Sequence, residues 1–301
     1  MKKLLTVAIP SYNRADTLYK TVLFFIKNIL KNNLQDEVIL LVSDNASPDK
    51  TWTYLKEIKQ RYPLLINIHR QDSNLGYAKN VLWLLNNCTS KYIWTIGDDD
   101  IYKEETLLTI ISNLEKNIDV LFLNCEYPSN STYKLGREVT QEYKGTLEEI
   151  ISIPNDQVTY MSCNVVKTDL IKISPYTSDN WILADKIIHL HPKCKAKFLP
   201  HPFVRYSSAD IESNWLKNPL KTALFSLEFL RLLIVEKDNP LLKEWGKQSA
   251  NDFADVLIRS LKQIGIENTY QRKYIKYLLL TRVFAALSIL LLLCLCIILI
   301  W

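Results

Sequence analysis

The chain has 301 residues, which is enough for one large α/β domain with a helical appendage. Its net charge of +5, from 37 basic and 32 acidic side chains, is too slight to indicate a nucleic-acid-binding protein. The six cysteines form neither a Cys-x-x-Cys pair nor a zinc-type spacing with a nearby histidine, which disfavours a metal-cysteine site.

The first 125 residues alternate short apolar strands with amphipathic helices. The predicted strands are 4–9, 37–43, 65–69, 92–96 and 120–124, and the predicted helices are 15–31, 48–61, 76–87 and 104–114. This alternation predicts a parallel sheet covered by helices on both faces. Ligands of such sheets bind at the carboxyl ends of the strands.

The later part of the chain has a weaker pattern. After a polar, irregular stretch at 127–145, the sequence predicts a short helix at 146–153, a strand at 160–166, a helix or turn at 167–173, a helix at 178–190 and a strand at 198–206. Residues 215–276 are charged and amphipathic, which predicts a helical region packed beside the α/β part.

The last residues are strongly apolar. From Val283 to Trp301 the only non-apolar residue is Ser288, and a helix of this length rises about 28 Å, close to the hydrocarbon thickness of a bilayer. Basic residues precede this stretch and no charge follows it. We therefore expect one C-terminal transmembrane helix at 277–301, with the folded part on the cytoplasmic face. A buried core helix or an interfacial helix is the alternative.

Polar residues follow each of the first four predicted strands, at 11–14, 44–45, 72–76 and 98–100. Because the carboxyl ends of parallel strands meet at one edge of a sheet, these residues predict a binding cleft. Each group alone is also compatible with an ordinary turn or helix cap.

Three consecutive acids, Asp98, Asp99 and Asp100, follow Gly97 at the end of a buried strand. Carboxylates so close raise one another's pKa, and a divalent cation would neutralise them. Oxygen ligands favour Mg²⁺ or Mn²⁺, ions that also bind substrate phosphates. A solvated turn or a helix N-cap is the alternative for these acids.

Four segments together resemble family 2 glycosyltransferases with the GT-A fold. They are Val7–Arg14, Val42–Ser47, Asn74–Gly76 with Asn80, and Gly97–Asp100. The form Trp94–Asp100 is similar to the branch that includes abequosyltransferases. The resemblance covers the first 125 residues and weakens beyond Asp185. It implies a mixed, mostly parallel sheet sandwiched by helices, and a metal-dependent, inverting transfer of a sugar from a nucleoside diphosphate to a membrane-bound saccharide acceptor.

The resemblance also implies a donor site, made of Pro10, Tyr12, Asn13, Arg14, Asp44, Asn45, Asn74, Gly76 and Asp98. Tyr12 would stack on the base, and Arg14 would reach the phosphates. Asp44 would accept the imide N–H of uracil or thymine, which favours UDP or dTDP. Asn74 and Gly76 would let the backbone approach the ribose or the diphosphate. Tyr12 as a capping aromatic and Asp44 in an Asx-turn are the ordinary alternatives.

The metal, Mn²⁺ or Mg²⁺, is implied at Asp99 and Asp100, with Asp99 as the main ligand and Asp98 near the ribose. The family motif is commonly Asp-x-Asp followed by another acid, and Gly97 stands at its first position here. The ion would stabilise the charge that develops on the leaving diphosphate.

An inverting transfer also needs a carboxylate that removes a proton from the acceptor hydroxyl. Asp185 and Asp179 are the candidates. We favour Asp185 because Trp181, one turn earlier, would offer a platform for the acceptor sugar, and His189 would orient the carboxylate. A plain helix-start acid remains the alternative for both. Weaker candidates for metal or phosphate contacts are His201, Arg205 and Tyr206.

We therefore expect a nucleotide-sugar-binding half at 1–125, an acceptor-side half at 126–214, a helical region at 215–276 and the membrane helix at 277–301. Together, the resemblance and the apolar tail imply synthesis of an O-antigen, a capsule or another surface polysaccharide on a lipid-linked acceptor, at the cytoplasmic face of the bacterial inner membrane. A degenerate, membrane-tethered scaffold that binds nucleotide is the alternative function.

Overall fold

The computed structural model describes residues 2–126, 140–153, 158–178, 180–205, 219–235 and 239–242, together with 256, 257, 259, 260 and 263. The chain divides into two compact units, residues 1–209 and 210–301. The second unit contributes one helix of known bounds, α8 at Pro219–Val235. The strands and the other helices described below belong to the first unit.

The first unit begins with three strand–helix repeats and a fourth strand. The strands are β1 (Leu5–Ser11), β2 (Val38–Asp44), β3 (Ile66–Arg70) and β4 (Tyr92–Thr95), and the helices are α1 (Ala15–Lys31), α2 (Thr51–Arg61) and α3 (Tyr77–Asn87). These elements confirm the predicted alternation. The largest difference is at α2, which begins at Thr51 instead of Pro48.

The remainder of the first unit is less regular. Its elements are β5 (Ile101–Tyr102), α4 (Thr106–Leu114), β6 (Val120–Glu126), β7 (Tyr143–Thr146), α5 (Leu147–Ile150), β8 (Asn164–Lys167), α6 (Thr168–Ile173), α7 (Ile182–Ile188) and β9 (Lys195–Arg205). A 3₁₀ turn at Met161–Cys163 leads into β8. The helices and β8 are shorter than predicted, whereas β6 and β9 are longer, and β5 and β7 were not predicted.

The strands of the described residues form one mixed sheet in the order β3-β2-β1-β4-β8-β6-β9-β5, with β7 paired to β9. β1 is parallel to β2 and β4, and β2 is parallel to β3. β8 is antiparallel to both β4 and β6, whereas β6 and β9 are parallel. The predicted mixed sheet is thereby confirmed, although the described strands have as many antiparallel pairings as parallel ones, because β8, β5 and β7 all pair antiparallel.

Strand β4, which precedes Asp98, Asp99 and Asp100, is held in place by packing in the core. The apolar stripe of α1, which includes Phe25, is buried against the sheet. Trp94 of β4 is fully buried, and its ring packs edge-on against Phe25 and Tyr102 with centroids 5.5 Å apart in both cases. Its indole N–H also donates to the carbonyl of Ser162 at 2.8 Å. The strand that precedes the acids therefore has little freedom to shift.

One part of the predicted fold class is wrong. Among the described residues no helix is long and apolar enough to cross a membrane, which contradicts the transmembrane helix. A span needs about 20 consecutive apolar residues, whereas α1 and α8, the longest described helices, have 17 residues each. The segment 277–301 itself lies outside the described residues, as does part of the helical region expected at 215–276. We retain the α/β class for the described residues and withdraw the membrane helix from the predicted fold class.

Candidate functional site

Parallel pairing brings the ends of the first strands to one edge of the sheet. In the register of the sheet, Ser11 lies opposite Asp44, and Asp44 lies opposite Arg70. The amide of Ile96 donates to the carbonyl of Ala8 at 2.9 Å, which continues the pairing of β4 with β1 up to Gly97. The polar residues predicted to form a cleft therefore do emerge side by side.

The acid loop, residues 97–100, is tied to the end of β1 by two of its carboxylates. Ser11 donates its hydroxyl to Asp98 at 2.5 Å, and Asp98 is buried. Arg14 donates from Nη1 to Asp99 Oδ2 at 2.7 Å, while its Nε lies 3.7 Å from Asp98 Oδ1. The Asp99 side chain is 33% exposed and that of Asp98 only 8%. Asp99 is therefore the more accessible of the two carboxylates.

The acid loop carries more negative charge than its surroundings offset. Burial raises the pKa of Asp98 to about 7, and the neighbouring charge of Asp99 adds to the rise despite the opposing effect of Arg14. Burial and the charge of Asp99 likewise raise the pKa of Asp100 to about 6. Such a cluster favours a bound cation, because a cation would stabilise the charged forms of all the acids.

Asp100 is held from the other side by residues that the sequence analysis did not single out. Tyr160 and Ser162 donate their hydroxyls to its two carboxylate oxygens, and Tyr102 lies 3.5 Å from one of them. Tyr160 and Ser162 lie just before β8, far from the acids in sequence. A strand predicted at 160–166 gave no sign of this contact, because hydroxyl pairing across 60 residues has no local pattern.

The loop after β1 presents an aromatic ring at this edge. Tyr12 is 44% exposed. Asn13 adopts a left-handed conformation with φ 57°, and its amide donates to the Ser47 hydroxyl at 2.8 Å. Pro10, near the end of β1, pairs in register with Ser43. The loops after β1 and β2 are therefore fastened together, with the Tyr12 ring left accessible.

Asp44 is fully buried at the end of β2, and its two carboxylate oxygens differ. Oδ1 accepts from the amide of Ser47, three residues later, at 3.0 Å, so this oxygen fixes the local turn. Oδ2 has no hydrogen-bond partner among the described residues, and it lies 3.5 Å from Nε of Arg70. Arg70 also donates to the Ser47 carbonyl at 2.9 Å. The sequence analysis missed Arg70, although a charged residue that ends a strand beside Asp44 was a usable signal.

The loops after β2 and β3 are joined through asparagine side chains. Asn45 donates to Asn74 Oδ1 at 2.9 Å and accepts from the Leu75 amide at 2.9 Å. Gly76 has φ 82°, a conformation that L side chains rarely adopt, and its amide also donates to Asn74 Oδ1. The predicted residues of this loop thus come together with Asn45 and shape the edge.

The candidate base, Asp185, lies in α7 and is fully buried. Its Oδ2 accepts from the amide of Thr177 and, at 2.7 Å, from that of Ser178. Its Oδ1 lies 3.1 Å from Nδ1 of His189, and the same nitrogen lies 2.8 Å from the backbone carbonyl oxygen of Asp185. The contacts that Asp185 makes are therefore with the segment before α7 and with His189.

The weaker candidates either lie near acids other than those of the acid loop or fall outside the described residues. His201 Nε2 is 3.2 Å from Glu105, and Arg205 Nε is 4.0 Å from Glu126. Arg205 does pair in register with Ile101, the residue after the acid loop. Asp179 and Tyr206 lie outside the described residues.

The comparisons with known proteins agree with this geometry. Residues 6–171, more than half of the chain, match the model of glycosyl transferase family 2. The chain belongs to glycosyl transferase family 2. The matched residues include the four edge loops as well as Tyr160 and Ser162.

Two curated relatives share part of this family 2 sequence. The abequosyltransferase RfbV of Salmonella typhimurium is 32% identical over 117 residues, which is 39% of this chain and 34% of the relative. A processive diacylglycerol beta-glycosyltransferase of Mycoplasma genitalium is 26% identical over 118 residues, 38% of this chain and 33% of the relative. The match thus spans only about a third of each curated relative.

Solved structures of low identity share the family 2 fold. The mannosyltransferase PcManGT from Pyrobaculum calidifontis, in complex with GDP-Man and Mn²⁺, has a TM-score of 0.59 at 13% identity and covers 96% of this chain and 88% of its own. TarS from S. aureus, in complex with UDP-GlcNAc, has a TM-score of 0.57 at 14% identity, with coverage of 94% and 88%. These likenesses support a GT-A-type fold.

The carboxylates of the acid loop differ in how well they could serve as metal ligands. No group of three or more His, Cys, Asp or Glu side chains in the described part of the chain is arranged to hold a metal ion. Asp98 is turned toward Ser11, and Asp100 toward Tyr160 and Ser162, so Asp99 is the carboxylate best placed to give a ligand. Mg²⁺ and Mn²⁺ sites of this kind take one or two carboxylates and complete their shell with phosphate oxygens and water.

Proposed function

We propose that the chain transfers a sugar from a nucleoside diphosphate donor to a saccharide acceptor. The observation that carries this proposal is the network of contacts that locks four polar loops together at the carboxyl edge of β1 to β4. In it, Ser11 and Arg14 bind the acid loop, and Asn45 binds the loop that contains Asn74. A nucleotide sugar has a base, a ribose and a charged diphosphate in a row, and this edge offers a partner for each.

The base-binding end is formed by Tyr12, Asp44 and Arg70. The exposed ring of Tyr12 supplies a stacking surface. Oδ2 of Asp44, which has no hydrogen bond within the described residues, supplies an acceptor for an imide N–H, and uracil and thymine carry that donor. Since Arg70 lies 3.5 Å from this oxygen and is 41% exposed, a bound base would share or displace it. We therefore propose UDP or dTDP as the nucleotide.

The diphosphate-binding end is formed by Arg14 and Asp99. A guanidinium binds phosphate oxygens through paired N–H groups, and Arg14 has this group beside the acids. Asp99 would hold Mn²⁺ or Mg²⁺ there, with the remaining ligands from the diphosphate and water. When bound, the ion supplies Lewis-acid stabilisation of the leaving diphosphate. Mn²⁺ in the complex of PcManGT supports metal dependence in general.

We propose Asp185 as the base that removes the proton of the acceptor hydroxyl. The acceptor oxygen would then bond to the anomeric carbon on the face opposite the bond to the leaving diphosphate, and this single displacement inverts that carbon. Its Oδ1 is free of hydrogen bonds within the described residues, while Oδ2 is fixed by backbone amides. His189 lies beside Oδ1 and would hold it in one orientation. The acceptor is proposed to be a lipid-linked saccharide used in surface-polysaccharide synthesis, and the name of the Mycoplasma relative, which includes diacylglycerol, supports a lipid-bearing acceptor.

Calorimetric titration of the full chain with UDP, dTDP, CDP and GDP tests this proposal, with Mn²⁺ in one series and a chelator in the other. We expect UDP or dTDP to bind in the Mn²⁺ series, with much weaker binding in chelator. The Asp99→Asn variant should bind as wild type does in chelator. If folded protein binds none of the four nucleotides, the proposed function is wrong. If one nucleotide binds, a transfer assay with different sugar conjugates of that nucleotide identifies the donor.

A further inference from the structure

We propose that Tyr160 and Ser162 are positioning residues for the acid loop. They hold the Asp100 carboxylate folded back over Gly97, and this leaves Asp99 as the carboxylate that meets the metal and the diphosphate. The inference rests on the proposed function, because it concerns the metal end of the same donor site.

The hydrogen bonds around Asp100 form a consistent set in which each hydroxyl uses its single proton once. Tyr160 donates to Asp100 Oδ1, and Ser162 donates to Oδ2 at 2.5 Å. The Ser162 oxygen accepts from the Gly97 amide at 2.9 Å, while Tyr102 donates to the Gly97 carbonyl at 2.9 Å. Both oxygens of Asp100 and both polar groups of the Gly97 backbone are thus bound by protein.

The position of Asp100 depends on the absence of a side chain at residue 97. A Cβ there would lie 2.7 Å from Asp100 Oδ2 and 3.1 Å from Asp99 Oδ1. The first distance is shorter than real Cβ contacts, so any other residue would push the carboxylate away from Ser162. Gly97 therefore leaves room for the Asp100 carboxylate, and the hydroxyls of Tyr160 and Ser162 hold the carboxylate in that position.

The turn that carries the hydroxyls is itself fixed. Ser162 is fully buried, and its carbonyl accepts from the Trp94 indole at 2.8 Å. Asn164, the first residue of β8, donates to the Tyr160 carbonyl at 2.8 Å. Because Trp94 belongs to β4, the acid loop and the turn that holds it are anchored to the same strand. The hydroxyls of Tyr160 and Ser162 are therefore held in one position relative to Asp100.

Removal of one hydroxyl tests the role with little change in volume. In the full chain, Tyr160→Phe should require about tenfold more Mn²⁺ for half-maximal UDP binding, because a released Asp100 no longer fixes the acid loop that carries Asp99. UDP affinity in chelator and the melting temperature should stay as in wild type. Tyr143→Phe is the matched control, because that hydroxyl accepts from Gln141 and lies in β7. dTDP replaces UDP as the probe if it is the nucleotide that binds.

A double-mutant cycle separates positioning from a general structural effect. In the Asp100→Ala background, Tyr160→Phe should cause no further change, since its partner is gone. Ser162→Ala should raise the Mn²⁺ requirement in the same direction as Tyr160→Phe.

Three outcomes would contradict the inference. An unchanged Mn²⁺ requirement in Tyr160→Phe, while wild type shows metal-dependent binding, overturns the positioning role and leaves the proposed function standing. Equal weakening with and without metal, or a lower melting temperature, assigns the hydroxyl a structural role only. Wild type that binds no nucleoside diphosphate overturns the proposed function and this inference with it.

Discussion

At the scale of single residues, Gly97 explains why three adjacent acids can take three different partners. Asp98 bonds to Ser11, Asp99 to Arg14, and Asp100 turns back toward Tyr160 and Ser162. The resemblance to family 2 led us to expect an acid at the position of Gly97. The structure gives the departure a physical reason, because a side chain there would collide with Asp100.

Gly97→Ala should therefore disturb the site more than the fold. The new Cβ would displace Asp100, whose carboxylate cannot give way freely while two hydroxyls hold it. We expect Mn²⁺-dependent nucleotide binding to weaken by about tenfold, with a small change in melting temperature. Gly145→Ala is the control: its Cβ would meet Glu149 Oε2, which accepts from the Thr146 amide at the start of α5, and nucleotide binding should not change. Equal effects of the two variants would contradict the explanation.

Asp185→Asn separates the charge of Asp185 from its structural contacts. The amide oxygen of asparagine can still accept from the amides of Thr177 and Ser178, so the segment before α7 should keep its shape. We expect sugar transfer to fall by at least about a hundredfold, the lower range for loss of a general base, with nucleotide binding unchanged. Steady-state rates and calorimetry measure the two effects.

Asp169→Asn serves as the control for this substitution, because Asp169 is an exposed acid in the first turn of α6 and should be silent. Lost nucleotide binding in Asp185→Asn would make Asp185 a structural residue. Undiminished transfer would remove it as the base.

At the scale of elements, α3 is held to the sheet by a buried polar network as well as by its apolar side. Asn80 accepts from the Ser43 hydroxyl at 2.6 Å and donates to the Ser43 carbonyl at 3.1 Å. Gln71, just after β3, donates to the Ser43 hydroxyl at 3.0 Å. These bonds join α3, β2 and the end of β3 directly behind the edge loops, so they help to fix the cleft.

Asn80→Ala should destabilise the first unit. It leaves the buried groups of Ser43 with fewer partners, and each unsatisfied buried group costs about 1–3 kcal/mol. The loss should lower the melting temperature by several degrees. Asn87→Ala on the same helix is the control, since the exposed Asn87 side chain bonds only its own helix, at Trp83, within the described residues. Equal melting temperatures of the two variants would contradict the importance of this network.

At the scale of the whole molecule, the sequence predicted the parts in which local pattern and tertiary structure agree. Strands β1 to β4 and helix α1 have clear periodicity, and the polar residues that follow the strands were correctly predicted to share one edge of the sheet. The two-residue β5 and the polar β7 have no such period, so they were missed. The hydrogen bonds of Tyr160 and Ser162 to Asp100 depend on the pairing of β8 with β4. These two strands are about 70 residues apart in the sequence, so their pairing gives no local sequence pattern. The transmembrane helix in the predicted fold class rested on the apolar stretch at 283–301, and the part of the chain that the structure describes contradicts it.

Ligand binding should stabilise the molecule in a way that depends on metal. A ligand at one hundred times its dissociation constant adds about 2.7 kcal/mol to the free energy of unfolding. For a unit of about 200 residues that corresponds to a rise in melting temperature of roughly 5–10 °C. We expect this rise for UDP or dTDP with Mn²⁺. It should disappear in chelator and in Asp99→Asn. A rise that is independent of chelator would contradict a metal-dependent donor site.

The insertion of β8 between β4 and β6 also has a consequence for how the chain matures. The bond from Gly97 to Ser162 spans 65 residues, and Trp94 reaches the same turn across 68. Closing a loop of that size costs conformational entropy before any contact rewards it. During synthesis, we expect the loops after β1, β2 and β3 to form as soon as their strands pair, and the bonds of Tyr160 and Ser162 to Asp100 to form only after β8 has docked. The proposed donor site is therefore expected to be completed late in the folding of the first unit.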